Sequence, residues 1–531
     1  MASISNTPMA AESTTHAVPE VTVAGGTYSE ILRSTTLIGT ATLVNVAIGI
    51  VRTKAMAVLL GPAGFGLMGI FNLIADMTRS VAEMGINSSG VRQIARAVGS
   101  GDMQRVAMTV LVLRRVAIFL GVLGAVLLTV FARPVANLTF GDEQHAGAVA
   151  LLSVAVFLRL ISDGQGALLQ GMRRIGDMAR IGVLGSLLGT LASIPIVYYL
   201  RGDGLVPALI VVAGVTTAVS WYYSRALDTD PPPQTMSTAL LGREVASLLR
   251  MGLAFMASGF LTLGASYAVR AILVRSDGLE AAGLYQAAWT LGGLYVGFVL
   301  QAMGADFYPR LVAAAEDNAM CNRLVNEQTH VSLLLGGVGV ISTLTFANWI
   351  VTLLYSEDFA GATETLRWVC LGMALRVITW PLGYILVAKG RSAFFIGTDM
   401  AWAIVNVGLT WLCVRWLGPT GAGVAFFGSY VFHLAVVYPL SRHLSGFRWT
   451  ASNLRIIVIF SASILTVQAA FSVLNGPLAG CVGVLAVLGS AVYSVYSFRA
   501  LSSTTLIPKR LTWLLRGSKR SKVFKEAAGR E

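Results

Sequence analysis

The feature that most constrains this chain is a succession of long apolar runs that contain very few charges. Of its 531 residues, 55% are hydrophobic and 12% are charged, about half the ~25% of an average soluble domain. About fourteen of the runs approach the ~20 apolar residues that a membrane-spanning helix needs. The pattern therefore predicts an all-α polytopic membrane protein and excludes coiled-coil, disulfide-rich and disordered classes.

The predicted spans follow one another with short connections. They cover roughly residues 34–55, 64–86, 110–131, 146–169, 180–200, 205–224, 250–273, 282–304, 330–354, 365–388, 395–416, 421–440, 455–474 and 477–498.

The net charge of +13 follows from topology. With a cytoplasmic N-terminus, most loop arginines and lysines fall in cytoplasmic loops, as the positive-inside rule requires. An even number of spans returns the C-terminus to the cytoplasm, where the tail adds further basic residues. The charges are too few to build a nucleic-acid-binding face, so we expect no nucleic acid partner.

No motif in the sequence indicates a cofactor or an enzyme. The four cysteines and five histidines are scattered without metal-ligand spacing, so neither a zinc site nor a disulfide framework is expected. The chain has no Gly-Lys dipeptide and hence no phosphate-binding loop of the GxxxxGK[ST] type. It also lacks a nucleophile elbow and an HExxH motif.

An internal duplication organises the chain. Residues recur at a constant separation of 217 positions (376 less 159), so that Arg159 matches Arg376 and Gly66 matches Gly283. Each repeat carries six spans, and an even number preserves orientation, so the two halves are parallel. The sequence therefore predicts two parallel six-helix lobes around a central cavity, plus two C-terminal helices.

The predicted domain boundaries follow from this repeat and from a Pro-Pro-Pro run at 231–233. They are a disordered cytoplasmic tail at 1–30, an N-terminal lobe at 31–227, a Pro-rich linker at 228–247, a C-terminal lobe at 248–444, an additional helix pair at 451–500 and a basic cytoplasmic tail at 501–531.

Four stretches make a family recognisable. Residues 52–73 (RTKAMAVLLGPAGFGLMGIFNL), 85–102 (GINSSGVRQIARAVGSGD), 353–368 (LLYSEDFAGATETLRW) and 380–392 (WPLGYILVAKGRS) resemble Wzx-type polysaccharide flippases. These belong to the multidrug/oligosaccharidyl-lipid/polysaccharide exporter (MOP) superfamily. The resemblance covers about residues 31–445. Members have about twelve spans, so the last helix pair departs from the family.

The resemblance implies a function. A flippase of this type moves an undecaprenyl-pyrophosphate-linked oligosaccharide from the cytoplasmic to the periplasmic leaflet of the bacterial inner membrane, for the assembly of O-antigen, exopolysaccharide or capsule. It also implies contacts with membrane lipids, and a polysaccharide polymerase and chain-length regulator as candidate partners. A lipid II flippase and a drug/cation antiporter of the same superfamily are the alternatives.

Charges inside the spans need a reason, because each costs about 2.5–3.5 kcal/mol on insertion scales. Arg159 and Arg376 occupy equivalent positions and are candidates to hold a pyrophosphate, since a guanidinium matches phosphate oxygens. Asp163 lies four residues after Arg159 and is an alternative partner for it. Arg376 has no acid three or four residues away.

Other charged residues within or near the spans are further candidates. Asp76, Arg79 and Glu83 share one helical face, which indicates headgroup contact for Arg79, ion coupling through Asp76, Glu83 or Asp163, or simple neutralisation within the helix. The remaining arginines are expected either at the cavity or at a membrane interface, namely Arg33, Arg250 and Arg270.

Overall fold

The computed structural model describes the backbone of residues 26–100, 103–225 and 238–503. Side chains are described within these ranges, except at residues 26–38, 88, 103, 105, 238–258, 302, 305, 306 and 501–503. Throughout this described part the chain is built from helices and short connections and has no β-strand. The predicted all-α class is confirmed.

Fifteen α-helices follow one another. They are α1 (Gly26–Glu83), α2 (Ile86–Gly99), α3 (Met103–Val130), α4 (Ala132–Phe140), α5 (Ala146–Gly171), α6 (Ile175–Leu200), α7 (Leu205–Arg225), α8 (Thr238–Ala313), α9 (Asn318–Thr345), α10 (Ala347–Leu354), α11 (Ala362–Ala388), α12 (Ser392–Leu417), α13 (Thr420–Ser445), α14 (Ala451–Val473) and α15 (Gly476–Ser503).

The helices account for the predicted spans. Among the described residues, nine helical segments are long and apolar enough to cross a membrane, or ten if the bent pair α9 and α10 is one span. Two of those segments, Gly39–Glu83 and Ile175–Arg225, each contain two predicted spans. Helix α8, with 76 residues, contains two more. We call α1–α7 the first lobe and α8–α13 the second lobe.

The longest helix in each lobe bends at a glycine. Gly61 in α1 has φ 63° and ψ −177°, and Gly278 in α8 has φ 85° and ψ −178°. This backbone region is open essentially only to glycine, because any Cβ would clash there. The two bends are repeat-equivalent (278 less 61 is 217), so each lobe turns between its first two spans at the same point. We call the end of the bundle at these bends the kink end.

The two lobes meet through equivalent glycines just beyond the bends. A Cβ built on Gly66 would lie 2.3 Å from the backbone oxygen of Leu279, and one on Gly283 would lie 1.8 Å from the backbone oxygen of Pro62. Pro62 and Leu279 are themselves repeat-equivalent, so the contact is nearly symmetric. Glycine is required at both positions because the helix backbones touch.

Aromatic rings extend this contact between the lobes. Phe65 of α1 packs edge-on against Tyr355 at 5.3 Å and against Phe359 at 5.7 Å between ring centroids, and all three are buried. The Nζ of Lys54 donates to the backbone oxygen of Leu353 at the same end. The kink end is therefore closed by packing of one lobe on the other.

The additional helix pair packs on the second lobe. The hydroxyl of Ser494 in α15 donates to the backbone oxygen of Leu334 in α9 at 2.9 Å. In α14, Phe460 lies against Gly337 of α9 so closely that a Cβ there would be 2.3 Å from the ring.

The predicted tails and linker fall mostly outside the described residues and stay predictions. Helix α1 begins at Gly26, within the predicted tail 1–30, and α8 begins at Thr238, within the predicted linker 228–247. Both helices therefore start earlier than the apolar runs alone indicate.

We expect Gly283→Ala to destabilise the protein, because the new methyl group would overlap the Pro62 carbonyl. Overpacking of this kind costs about 1–3 kcal/mol, which thermal unfolding of the purified protein in detergent would report. Gly297→Ala is the matched control on α8, because a Cβ there has no neighbour within 4 Å. Equal unfolding temperatures for the two variants would contradict the close backbone contact.

Candidate substrate site: intramembrane charges and the second-lobe cavity

Arg159 of α5 is held by polar side chains of α1. Its Nη1 lies 3.0 Å from Oδ1 of Asp76, and its Nη2 donates to Oδ1 of Asn72 at 3.0 Å. Asp163, the partner suggested by sequence spacing, is not the residue that pairs with Arg159. The neutralising carboxylate comes from another helix instead.

Asp163 pairs with Arg79. The Nη1 of Arg79 lies 2.8 Å from Oδ2 of Asp163, with Glu83 at 3.7 Å and Asp76 at 3.9 Å. Arg79 is therefore neutralised both within α1 and across to α5. With Arg159, the cluster holds three carboxylates and two guanidiniums, so it carries no excess of positive charge.

Arg52 stands apart from this network. Its charge is close enough to that of Arg159 for the two to repel. Among the described residues, no ion pair or hydrogen bond is found for its guanidinium. Arg52 was not among the sequence candidates, although it lies one residue from the repeat-equivalent of Arg270.

The second lobe contains a cavity of about 460 Å³. Its walls come from α8, α11, α12 and α13 and include Val387 and Phe395, which lie near the α11–α12 connection. The cavity thus extends from the middle of the bundle toward the end opposite the kink end. It is offset into the second lobe rather than shared evenly by both.

Arg376 of α11 lines this cavity. In the described part of the structure no carboxylate pairs with its guanidinium, and its charge acts on the nearby rings of Tyr430 and His433. Asp399 lines the same cavity, also without a basic partner among the described residues. Arg376 is therefore a half-buried cation free to meet an anion.

The repeat explains why Arg159 has ion-pair partners whereas the equivalent Arg376 has none among the described residues. In the second lobe, the positions of Asn72, Asp76 and Asp163 are occupied by Trp289, Gly293 and Trp380. The amide and carboxylates that hold the first-lobe charges are thus absent around Arg376. Both tryptophans line the cavity instead.

The other predicted arginines lie elsewhere. Arg270 is only 4% exposed, and its Nε donates to Gln286 at 2.7 Å while its Nη1 donates to the backbone oxygen of Ser266 at 3.0 Å. Arg270 is thus buried and hydrogen-bonded within α8, and it is not among the residues of the cavity wall. Arg33 and Arg250 lie on α1 and α8, but their side chains are outside the described residues.

An aromatic wall is the feature that sequence reasoning missed. The cavity is lined by several aromatic rings, namely Trp289, Tyr308, Trp380, Tyr384, Phe395, Trp402, Tyr430 and His433. One signal was available, because Arg376, Trp380 and Tyr384 recur every four residues and share one face of α11.

These features define an all-α polytopic membrane protein, and its fold is similar to that of solved transporters of the MOP superfamily. The inward-facing structure of a multidrug resistance MATE family transporter of that superfamily is similar over 76% of this chain and 95% of that chain, with a TM-score of 0.63 and 17% identity. The lipid II flippase MurJ, in an inward closed conformation, is similar over 88% of this chain and 99% of that chain, with a TM-score of 0.58 and 11% identity.

Sequence comparison identifies the family. Residues 55–364 match the polysaccharide biosynthesis protein family, and the chain belongs to that family. The lipid III flippase of Escherichia coli (strain K12) is 22% identical over 413 residues, which cover 74% of this chain and 94% of that protein. The resemblance predicted from the four stretches is confirmed.

We expect Arg79→Gln to destabilise the protein, because it leaves Asp163 and Glu83 without a cation. Removing one partner of a fully buried pair costs about 3–5 kcal/mol. The side chains of Arg79 and Asp163 are 30% and 28% exposed, so about 1–2 kcal/mol is expected here.

The double variant Arg79→Gln/Asp163→Asn is the test of pairing. It should unfold at a higher temperature than Arg79→Gln, because it removes the orphaned carboxylate. If the double variant is instead as unstable as the sum of its two single variants, the ion pair contributes nothing.

Proposed function

We propose that the protein is a flippase that moves an undecaprenyl-diphosphate-linked oligosaccharide from the cytoplasmic to the periplasmic leaflet. The observation that carries the proposal is the unpaired guanidinium of Arg376 in a cavity of about 460 Å³. A volume of this size lies within the ~300–1,000 Å³ typical of small-molecule sites. Two similar proteins, one by sequence and one by fold, are flippases by name, which supports the proposal.

The charge distribution favours an anionic headgroup. A guanidinium binds a diphosphate through two parallel hydrogen bonds, and it does so more strongly where water is scarce. Arg376 is the first candidate for this contact, and Arg52 is the second, because neither is neutralised by an acid among the described residues. Arg159 and Arg79 were predicted to share this role, but their acidic partners make them weaker anion sites.

The first-lobe cluster has a different proposed role. Asp76, Glu83 and Asp163 outnumber the two arginines that they pair with. The cluster therefore contains one carboxylate more than its two guanidiniums neutralise. This additional carboxylate is a candidate for coupling transport to a proton or sodium gradient. These carboxylates are the same residues that the sequence indicated for ion coupling.

The closed kink end supports alternating access. With a cytoplasmic N-terminus, the kink end is periplasmic and the α11–α12 connection is cytoplasmic, so the cavity loads from the cytoplasm. The prenyl chain stays in lipid, and the contact between the lobes at Gly66 and Gly283 separates when the cavity opens to the periplasmic leaflet. According to this proposal, the chain is a transporter of the bacterial inner membrane. Both of its termini lie in the cytoplasm, and it catalyses no chemical step.

A lipid II flippase is the second candidate. The structure of MurJ is similar over 88% of the chain, whereas that of the MATE transporter is similar over 76%. The additional helices α14 and α15 are consistent with the longer match to MurJ. A drug/cation antiporter stays an alternative, because the same cavity presents Asp399 as well as Arg376. A polysaccharide polymerase and a chain-length regulator stay candidate partners.

We expect Arg376→Ala to reduce export of surface polysaccharide at least tenfold, because a hydrogen bond to a charged group contributes about 1.5–3 kcal/mol. The measurement is complementation of a deletion strain, with extraction of the lipid-linked oligosaccharide that accumulates on the cytoplasmic side. Arg376→Lys should retain part of the activity, since it keeps the charge but loses the planar fork.

Arg415→Ala is the matched control. Arg415 is an exposed residue of α12 that stacks on Trp411, with its guanidinium 3.7 Å from the ring centroid, so its loss should leave export unchanged. Membrane levels of all variants are compared by immunoblot. Export at the normal rate in Arg376→Ala would rule out the role given to this residue.

A further inference from the structure

We propose that Trp402, Tyr430 and His433 form a subsite for the first sugar of the lipid-linked substrate, the one directly attached to the diphosphate. This inference rests on the proposed function and adds to it a place where the substrate is recognised. The subsite lies in the second-lobe cavity, on α12 and α13, beside Arg376 on α11.

The three rings of the subsite pack against one another at steep angles, 57° between Trp402 and Tyr430 and 82° between Tyr430 and His433. The centroid of Tyr430 is 5.6 Å from that of Trp402 and 5.8 Å from that of His433. A pyranose ring has an apolar face of C–H groups and a rim of hydroxyls. Such a ligand suits aromatic side chains, which offer a large apolar area together with a polar edge.

Two polar atoms of this surface lack partners. The indole Nε1 of Trp402 and the ring Nδ1 of His433 are buried, and neither makes a hydrogen bond among the described residues. A buried polar group without a hydrogen-bond partner lowers the stability of the folded protein by about 1–3 kcal/mol. Two such groups in one cavity therefore indicate that a ligand supplies the missing partners. A sugar hydroxyl or acetamido oxygen would accept from Trp402, and a hydroxyl would bond to His433.

The position of Arg376 decides which sugar is bound. Its charge acts on Tyr430 and His433, so the cation adjoins the aromatic surface within one cavity. In a diphosphate-linked saccharide, only the first sugar lies next to the phosphates. A diphosphate on Arg376 therefore places that sugar against Trp402 and leaves the distal sugars toward the cavity mouth.

The first lobe has no equivalent of this surface. The repeat partners of Trp402 and His433 are Gly185 and Thr216, which are 217 positions earlier. These two residues pack against each other, since a Cβ on Gly185 would lie 3.4 Å from the Thr216 hydroxyl. Recognition of the sugar is thus assigned to the second lobe alone.

The test measures binding of defined lipids to the full chain in nanodiscs. The probes are undecaprenyl diphosphate and the same lipid carrying one glucose, galactose or N-acetylglucosamine. We expect at least one sugar to tighten binding about tenfold or more in the unaltered protein. Trp402→Leu should remove most of this gain while leaving the affinity for undecaprenyl diphosphate within about twofold.

Three further variants separate the contribution of the Trp402 ring from that of its N–H group and from that of Arg376. Trp402→Phe keeps a ring but loses the N–H, so it should retain part of the gain, and it decides the test if Trp402→Leu does not fold. Trp416→Leu is the control on the same helix, because Trp416 is 81% exposed, and it should behave as the unaltered protein. Arg376→Gln should weaken binding of every probe.

The outcomes distinguish this inference from the function on which it rests. If undecaprenyl diphosphate binds but no sugar improves its affinity, the subsite is refuted and the proposed function stands. The subsite is equally refuted if Trp402→Phe and Trp402→Leu keep the full gain, or lower the affinity for all probes alike. If the unaltered protein binds none of the lipids, the proposed function fails as well.

Discussion

A charged side chain inside a membrane span must be neutralised by a neighbour or must face water or a ligand, and the two lobes satisfy this requirement differently. In the first lobe, Arg159 is held by Asp76 and Asn72, and Arg79 by Asp163. In the second lobe, Arg376 occupies the position equivalent to Arg159 but has none of these partners. The internal repeat contains the same arginine twice, and only the second copy lines a cavity without a carboxylate partner among the described residues.

The contact between the lobes matters for transport because it closes the end of the bundle opposite to the cavity that holds the unpaired Arg376. The close approach of Gly66 and Gly283, with the rings of Phe65, Tyr355 and Phe359 beside it, closes the kink end. The cavity that holds Arg376 extends toward the opposite end. A closed end and a charged, aromatic-lined cavity toward the other end are what a two-lobe carrier needs in order to admit a large polar headgroup from one side.

The sequence predicted the helices well because span length and apolar composition are local properties, and the repeat even relates the bends at Gly61 and Gly278. It offered the contacts of Arg79 with Asp76 and Glu83 within α1, but it did not predict the ion pairs between α1 and α5. Asp163 lies four residues after Arg159 and was the alternative partner that the sequence offered, but the partner is Asp76, because packing of α1 on α5 decides which carboxylate is nearer. The aromatic wall was also missed, since Trp402 and His433 come from helices whose juxtaposition no local pattern reveals.

Movement of a diphosphate-linked saccharide across a bilayer is the activity that we propose for this chain. The most direct measurement uses the purified protein in liposomes that contain an undecaprenyl-diphosphate oligosaccharide, with a membrane-impermeant glycosidase added outside. A proton or a sodium gradient is imposed in parallel samples. The account predicts that the protein increases the fraction of saccharide cleaved over time in at least one of these conditions. Cleavage at the rate of protein-free liposomes under all of them would contradict it.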